Sequence, residues 1–151
     1  MKYLLILFII ALALAPLTHF LPSKRQRKVA GLREYAAVHG LFVEFRKLPG
    51  SEREAVRART PRGDIIYYGK RLPPPRRGEA RRGRWVRDSV GWVNLDQGLA
   101  LPDPVAELAD MILAASVDDG SCGIYWQESG SEQEVEQIRQ VLEAWSAKLP
   151  G

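Results

Sequence analysis

The chain has 151 residues, and 22 Lys and Arg face 18 Asp and Glu, which gives a formal net charge of +4. Without an apolar N-terminal run, about 129 residues remain. That length suffices for one domain with its own core and excludes two domains of ordinary size. The single cysteine, Cys122, excludes an internal disulfide. Four tryptophans, five tyrosines and four phenylalanines argue against a disordered tail.

Twenty uncharged residues, 3–22, open the chain. A helix of this length spans ~30 Å, the thickness of the hydrocarbon core of a bilayer. A basic flank follows at once: Lys24, Arg25, Arg27 and Lys28. Basic residues beside a membrane span tend to stay in the cytoplasm. We therefore expect residues 1–22 to be a single-pass transmembrane signal anchor and residues 23–151 to be a cytoplasmic domain.

A cleaved signal peptide is the alternative interpretation of the same run. Ala11 and Ala13 frame a small-residue cleavage site, which would leave an exported or periplasmic binding domain or enzyme. The apolar character continues to Leu21, however, and the basic flank behind it hinders export. Within the run, Pro16 is expected to bend the helix, and His19 is expected to lie among the lipid headgroups.

The soluble part begins with the signal of a new helix. Ser23 and Gln26 have the spacing of a capping box, and Gly40 is a typical helix stop. The apolar face of this helix consists of Val29, Leu32 and Ala36. Residues 41–46 alternate between apolar and polar, which predicts a half-buried strand. Its buried side would carry Leu41, Val43 and Phe45.

The middle of the chain alternates between strand and loop signals. Residues 49–63 are charged and leave the structure undecided. Residues 64–68 are β-branched and aromatic and predict a second strand, and residues 71–83, with three consecutive prolines, predict a loop. Residues 84–88 and 91–94 predict a third strand and a fourth.

The last third of the chain predicts two helices around one strand. Asp103 and Pro104 are a helix cap and a proline at the first helical position. The apolar face of this helix would be Val105, Leu108, Met111, Ile112 and Ala115. Residues 118–120 predict a turn and residues 124–127 a strand. Ser131 and Glu134 repeat the capping box. An apolar stripe then runs to the end of the chain: Val135, Ile138, Val141, Leu142, Trp145 and Leu149.

Strands grouped between helices favour an α+β domain. We expect two layers, with a mainly antiparallel sheet and about three helices, after the N-terminal transmembrane helix.

Charge is unevenly distributed along the chain. Residues 24–87 contain nineteen Lys and Arg against six Asp and Glu, whereas residues 88–151 contain two against twelve. Either the basic half binds an anionic partner, or the two halves fold together and neutralise each other.

The basic loop within residues 71–87 is the sharpest feature of the soluble part. Its arginines are Arg71, Arg76, Arg77, Arg81, Arg82, Arg84 and Arg87. Clustered arginines beside Trp85 suit phosphates and stacked bases, and on a tethered domain they suit anionic lipid. Three interpretations stay open: anionic-lipid binding, nucleic-acid binding through Arg71 to Arg87, and a solvated loop without a ligand.

Other reactive or aromatic residues carry weaker signals. Cys122 is expected to be a turn cysteine without a role, since no base or cation lies near it in sequence. Asp118 and Asp119 lack the alternating ligands of a calcium loop. The four tryptophans are expected in the core. No glycine-rich phosphate loop, paired-histidine spacing or serine elbow occurs, so we expect no catalytic residue, no cofactor and no metal.

The layout of residues 4–28, with Pro22 before the basic flank, resembles that of YajC, the accessory subunit of the bacterial preprotein translocase. The resemblance covers about a fifth of the chain. It implies an accessory role at the bacterial inner membrane, in contact with the lipid bilayer, and it supplies no functional residue. We therefore expect a non-enzymatic accessory or interaction protein whose partners are anionic lipid or another inner-membrane protein.

Overall fold

The computed structural model describes residues 1–97, 99–108 and 110–150. The chain divides into two compact units, Met1–Ala30 and Gly31–Gly151. Helix α2, Lys24–Val38, contributes residues to both.

The first unit is an exposed apolar helix. Helix α1, Lys2–Leu14, continues as a 3-10 helix over Ala15–Phe20. The change of helix type coincides with Pro16, whose ring removes a backbone donor. The stretch Lys2–Phe20 has a mean hydropathy of 2.2, and none of it is buried. It is long and apolar enough to cross a membrane, although an N-terminal signal sequence meets the same criteria.

The predicted capping boxes both form. Ser23 N donates to Gln26 Oε1 at 2.8 Å, and Gln26 N donates to Ser23 Oγ at 3.2 Å, which starts α2 at Lys24. Ser131 and Glu134 make the same reciprocal contact at the start of α5, Glu132–Lys148. Gly40, at φ +83°, lies beyond the end of α2 in the left-handed region that favours glycine.

The second unit is built on one open sheet of six strands, all paired antiparallel. The strands are β1 Phe42–Glu44, β2 Ile66–Arg71, β3 Gly83–Arg87, β4 Trp92–Asn94, β5 Ala114–Val117 and β6 Ser121–Trp126. Their spatial order is β1-β2-β6-β5-β3-β4. The α+β class and the mainly antiparallel sheet are thus confirmed.

The sheet buries side chains on both faces. One face packs against α2 and α5 in the larger core, to which Trp85, Trp126 and Trp145 belong. Trp92 is half-buried at the margin of that core, as expected of the four tryptophans. The other face carries a smaller core around Tyr67, Tyr125 and Val56. Val56 belongs to the short helix α3, Glu54–Arg59, in the segment that the sequence left undecided.

Three sequence-based expectations were wrong. The helix expected after Asp103 is only one turn, α4 Asp103–Ala106, and Ala115 lies in β5. β5 lies between two other strands and buries all four of its residues. A strand that is buried on both faces is apolar at consecutive positions, and here those positions also fit the spacing of a helix. Cys122 lies in β6 and not in the turn before it. Phe45 is 73% exposed, because β1 ends at Glu44.

A buried carboxylate joins α2 to the sheet. Glu128 follows β6 at φ +54°, and its side chain is only 4% exposed. Its two oxygens accept hydrogen bonds from Arg33 Nε at 2.7 Å and Arg33 Nη2 at 2.8 Å. The Tyr68 hydroxyl donates a third bond at 2.8 Å. These bonds help to raise the pKa of Arg33, and burial followed by the same carboxylate raises the pKa of Tyr68. The three hydrogen bonds to the Glu128 side chain thus stabilise a residue with an uncommon backbone φ angle.

We predict that Glu128→Gln lowers the free energy of unfolding by about 1–3 kcal/mol, since Arg33 would lose its charge partner inside the fold. Urea denaturation measures the change. Glu107→Gln is the control, because Glu107 is exposed and no partner is recorded for it among the described residues. Equal stability of the two variants would contradict the role given to Glu128.

Candidate functional site

The predicted basic loop is a crossing connection and not a hairpin. Strands β2 and β3 are not neighbours, because β6 and β5 lie between them. Residues 72–82, here called the arginine strap, therefore pass the end of the β5–β6 hairpin. Asp118 Oδ1 closes that hairpin turn by accepting from Gly120 N and Ser121 N, both at 2.8 Å, which confirms the predicted turn.

Both ends of the arginine strap are fastened to this turn. Leu72 N donates to the Gly120 carbonyl at 2.9 Å. Arg81 N donates to Asp119 Oδ1 at 2.8 Å. Two strap residues that are nine positions apart, Leu72 and Arg81, are therefore hydrogen-bonded to neighbouring residues of the same turn. These two bonds limit how far the residues between them can move.

Arg81 is an internal residue of the strap. It is 6% exposed, and its guanidinium donates to the Pro73 carbonyl at 2.7 Å. Its Nε donates to the Pro150 carbonyl at 2.7 Å, and Nη2 donates to the same oxygen. A longer bond of 3.5 Å reaches the Asp119 carbonyl. Arg81 thus joins the start of the strap to the end of α5 and is not available to an external ligand.

The tip of the strap presents two free arginines. The Arg76 carbonyl accepts from Glu79 N at 3.0 Å, and Gly78 has φ +93°. That angle at the third residue of the turn is one that glycine adopts without strain. The side chains of Arg76 and Arg77 are exposed, and no side-chain hydrogen bond or ion pair is recorded for either among the described residues. The Arg82 side chain is also exposed and has no recorded hydrogen bond or ion pair in that part of the chain, but its charge helps to lower the pKa of Asp96.

The other predicted arginines have partners within the domain. Arg71 lies with its guanidinium 4.8 Å from the centre of the Phe42 ring. Arg84 forms a two-pronged ion pair with Asp96, both contacts being 2.9 Å. This pair lowers the pKa of Asp96 and raises that of Arg84. Arg87 Nη1 lies 3.8 Å from Asp110. Of the seven predicted residues, only Arg76, Arg77 and Arg82 have no side-chain hydrogen bond, ion pair or ring contact recorded among the described residues, and Arg82 still interacts at longer range with Asp96.

The charged halves of the sequence meet in the fold. Four recorded ion pairs join the basic half to the acidic half: Arg33–Glu128, Arg46–Asp118, Arg84–Asp96 and Arg87–Asp110. Part of the positive charge of the basic half is therefore neutralised by the acidic half within the fold. The exposed arginines of the strap belong to the positive charge that these ion pairs do not neutralise.

The basic flank lies in the other unit. Lys24, Arg25, Arg27 and Lys28 are all exposed at the start of α2. Arg27 Nε donates to the Pro22 carbonyl at 3.3 Å, and no acidic partner is recorded for the four among the described residues. Their predicted place beside a membrane span is compatible with this exposure.

Sequence reasoning missed two features. The internal role of Arg81 has no local signal, since its partners lie eight, 38 and 69 positions away. Glu128 and Arg33 are 95 positions apart. Gly78 was a usable sign, because glycine in a basic loop indicates a defined turn.

No group of three His, Cys, Asp or Glu that suits a metal ion occurs in the described ranges. The chain matches no protein-family model, no curated protein and no solved structure. The resemblance to YajC stays a hypothesis that depends on the layout alone.

We predict that Cys122 is inert in the folded protein, because burial raises the pKa of its thiol to about 12. A thiol reagent should label it slowly in buffer and fully in urea, followed by absorbance. Cys122→Ala should leave the function of the protein unchanged. Rapid labelling of the folded protein would contradict this expectation.

Proposed function

We propose that this chain is a membrane-anchored, non-enzymatic interaction protein whose cytoplasmic domain contacts anionic lipid through the arginine strap. Residues 1–22 serve as the anchor, and in the sequence the basic flank lies between this anchor and the rest of the domain. The observation that supports the proposal most is the exposure of Arg76, Arg77 and Arg82, which have no side-chain hydrogen bond or ion pair recorded among the described residues and belong to a strap held at both ends.

The chemistry of the strap suits lipid phosphates. Guanidinium groups present several donors in a planar fork, which matches phosphate oxygens. A basic residue near an anionic leaflet contributes ~1 kcal/mol of attraction. Because the strap is already held in one shape, less conformational freedom is lost on binding than with an unstructured loop.

The structure favours lipid over single-stranded nucleic acid. Stacking on bases requires an exposed aromatic beside the arginines. Trp85, the candidate from the sequence, is 2% exposed, and its Nε1 donates to the Leu99 carbonyl at 3.1 Å. Phe42, which lies under Arg71, is only partly exposed.

We predict that a reporter active only outside the cytoplasm is silent when fused after Gly151, because the basic flank keeps the domain in the cytoplasm. A reporter active only inside the cytoplasm serves as the control and should be active. Intact-mass analysis of the protein from cells should retain residues 1–13. Activity of the external reporter, or loss of those residues, would support the exported alternative and overturn the proposed topology.

We predict that fragment 23–151 binds acidic vesicles at low ionic strength and dissociates as salt rises. Replacing Arg76, Arg77 and Arg82 with serine should weaken binding about 100-fold, since three contacts of ~1 kcal/mol are lost. Vesicle sedimentation measures the affinity, and circular dichroism checks the fold. Arg81 is left intact because it holds the strap.

A second triple variant controls for net charge. The side chains of Arg53, Arg57 and Arg62 are exposed, and no side-chain hydrogen bond or ion pair is recorded for any of the three among the described residues. Changing these three to serine removes the same formal charge away from the strap. If both triple variants lose equal affinity, the strap has no special role. Tighter binding of single-stranded RNA than of vesicles would replace lipid with nucleic acid as the ligand.

A further inference from the structure

A small cavity lies at the end of the sheet opposite the strap. Its volume is about 160 Å³. Arg59, the last residue of α3, lines one side, and Arg87, the last residue of β3, lines another. The Arg87 backbone N–H donates to the Leu113 carbonyl at 3.0 Å, immediately before β5, which places the base of the side chain. The strap, in contrast, crosses the turn that follows β5.

The charge of Arg87 is poorly compensated. Its Nε is shielded from solvent and has no acceptor among the described residues. Its nearest carboxylate, Asp110, lies 3.8 Å from Nη1, and the Asp110 side chain is fully exposed. An exposed pair at that distance contributes little. A guanidinium that is only 23% exposed, with a donor unpaired, is one of the groups that call for a physical explanation.

Both guanidiniums also make contacts with uncharged groups. The Arg87 guanidinium lies 5.9 Å from the centre of the Trp92 ring, across the β3–β4 pairing. Arg59 Nη1 donates to the Asp88 carbonyl. These contacts fix the two side chains and leave further N–H donors on each, because a guanidinium has five.

The rest of the cavity lining is mixed. Leu48, Pro61, Ile112 and Leu113 are apolar, whereas Thr60 and Asp110 are polar. At ~30 Å³ per water molecule, the volume corresponds to about five waters, or a ligand of about six heavy atoms. The charged residues that line the cavity are Arg59, Arg87 and Asp110. Their formal net charge of +1 suits a monoanion better than a dianion.

We propose that this cavity binds a small organic monocarboxylate, whose carboxyl group pairs with Arg59 and Arg87 and whose apolar body lies against Leu48 and Leu113. The paired oxygens of a carboxylate match the donor fork of arginine. This site goes beyond the proposed lipid contact, and it depends neither on the strap nor on the topology of the chain.

Isobutyrate is a suitable probe, and isobutyramide is its neutral counterpart of nearly the same shape. The full chain in zwitterionic detergent micelles is heated with each compound, at constant ionic strength, and the midpoint of unfolding is recorded. Isobutyrate should raise the midpoint in a saturable manner, because a ligand of the native state stabilises it. Isobutyramide should not. An equal effect of the two compounds overturns the proposal.

Variants on α3 provide the matched control. Arg59→Gln should weaken isobutyrate binding about tenfold or more, since a charged hydrogen-bonded contact is lost. Arg57→Gln, in the same turn but outside the cavity lining, should leave it unchanged. Unchanged binding in Arg59→Gln overturns the site even if Arg87→Gln proves too unstable to study. Binding of inorganic phosphate in preference to isobutyrate overturns the assignment of the ligand as a monocarboxylate.

Discussion

Burial of β5 and β6 on both faces is the constraint on which the rest of the domain depends. All four residues of β5 and all six of β6 are buried. A strand pair covered on both faces must have a layer above it and a layer below it. Helices α2 and α5 form one layer, and the segment that contains α3 forms the other. Because β2 and β3 flank this central pair, their connection has to cross its end, which creates the strap.

Small residues make room for the second layer. Tyr67 lies across Gly69 and Gly123, and a Cβ at either glycine would collide with its ring. Burial raises the pKa of Tyr67, whose hydroxyl finds a partner in Ser121 Oγ at 3.1 Å. Arg46 then covers the ring, with its guanidinium 4.0 Å from the ring centre. The Tyr67 ring therefore lies between the sheet backbone and the Arg46 guanidinium, and Arg46 also forms an ion pair with Glu44.

The sequence predicted features whose causes are local. Both capping boxes, the stop at Gly40 and the turn at residues 118–120 depend on atoms within a few positions of each other. The sequence misled where tertiary pairing decided the outcome, as at Ala115, whose helical spacing gave way to a central strand. The basic loop is shorter than predicted, because Arg71 lies in β2 and Arg84 and Arg87 lie in β3. The distinction between its exposed and its internal arginines required the fold. Arg81 and Arg82 are adjacent in sequence, yet one is buried and the other is exposed.

The fixed shape of the strap and the proposed N-terminal anchor lower different entropic costs of membrane binding. A free protein with three unpaired arginines would bind an anionic surface weakly, because association itself costs several kcal/mol of translational and rotational freedom. Under the proposed topology, the anchor has already removed much of that cost, and the effective concentration of the domain at the bilayer is high. Attraction of ~1 kcal/mol per arginine then suffices to favour one orientation of the domain. In that case the strap determines the orientation of the domain at the membrane, whereas the anchor determines its localisation there.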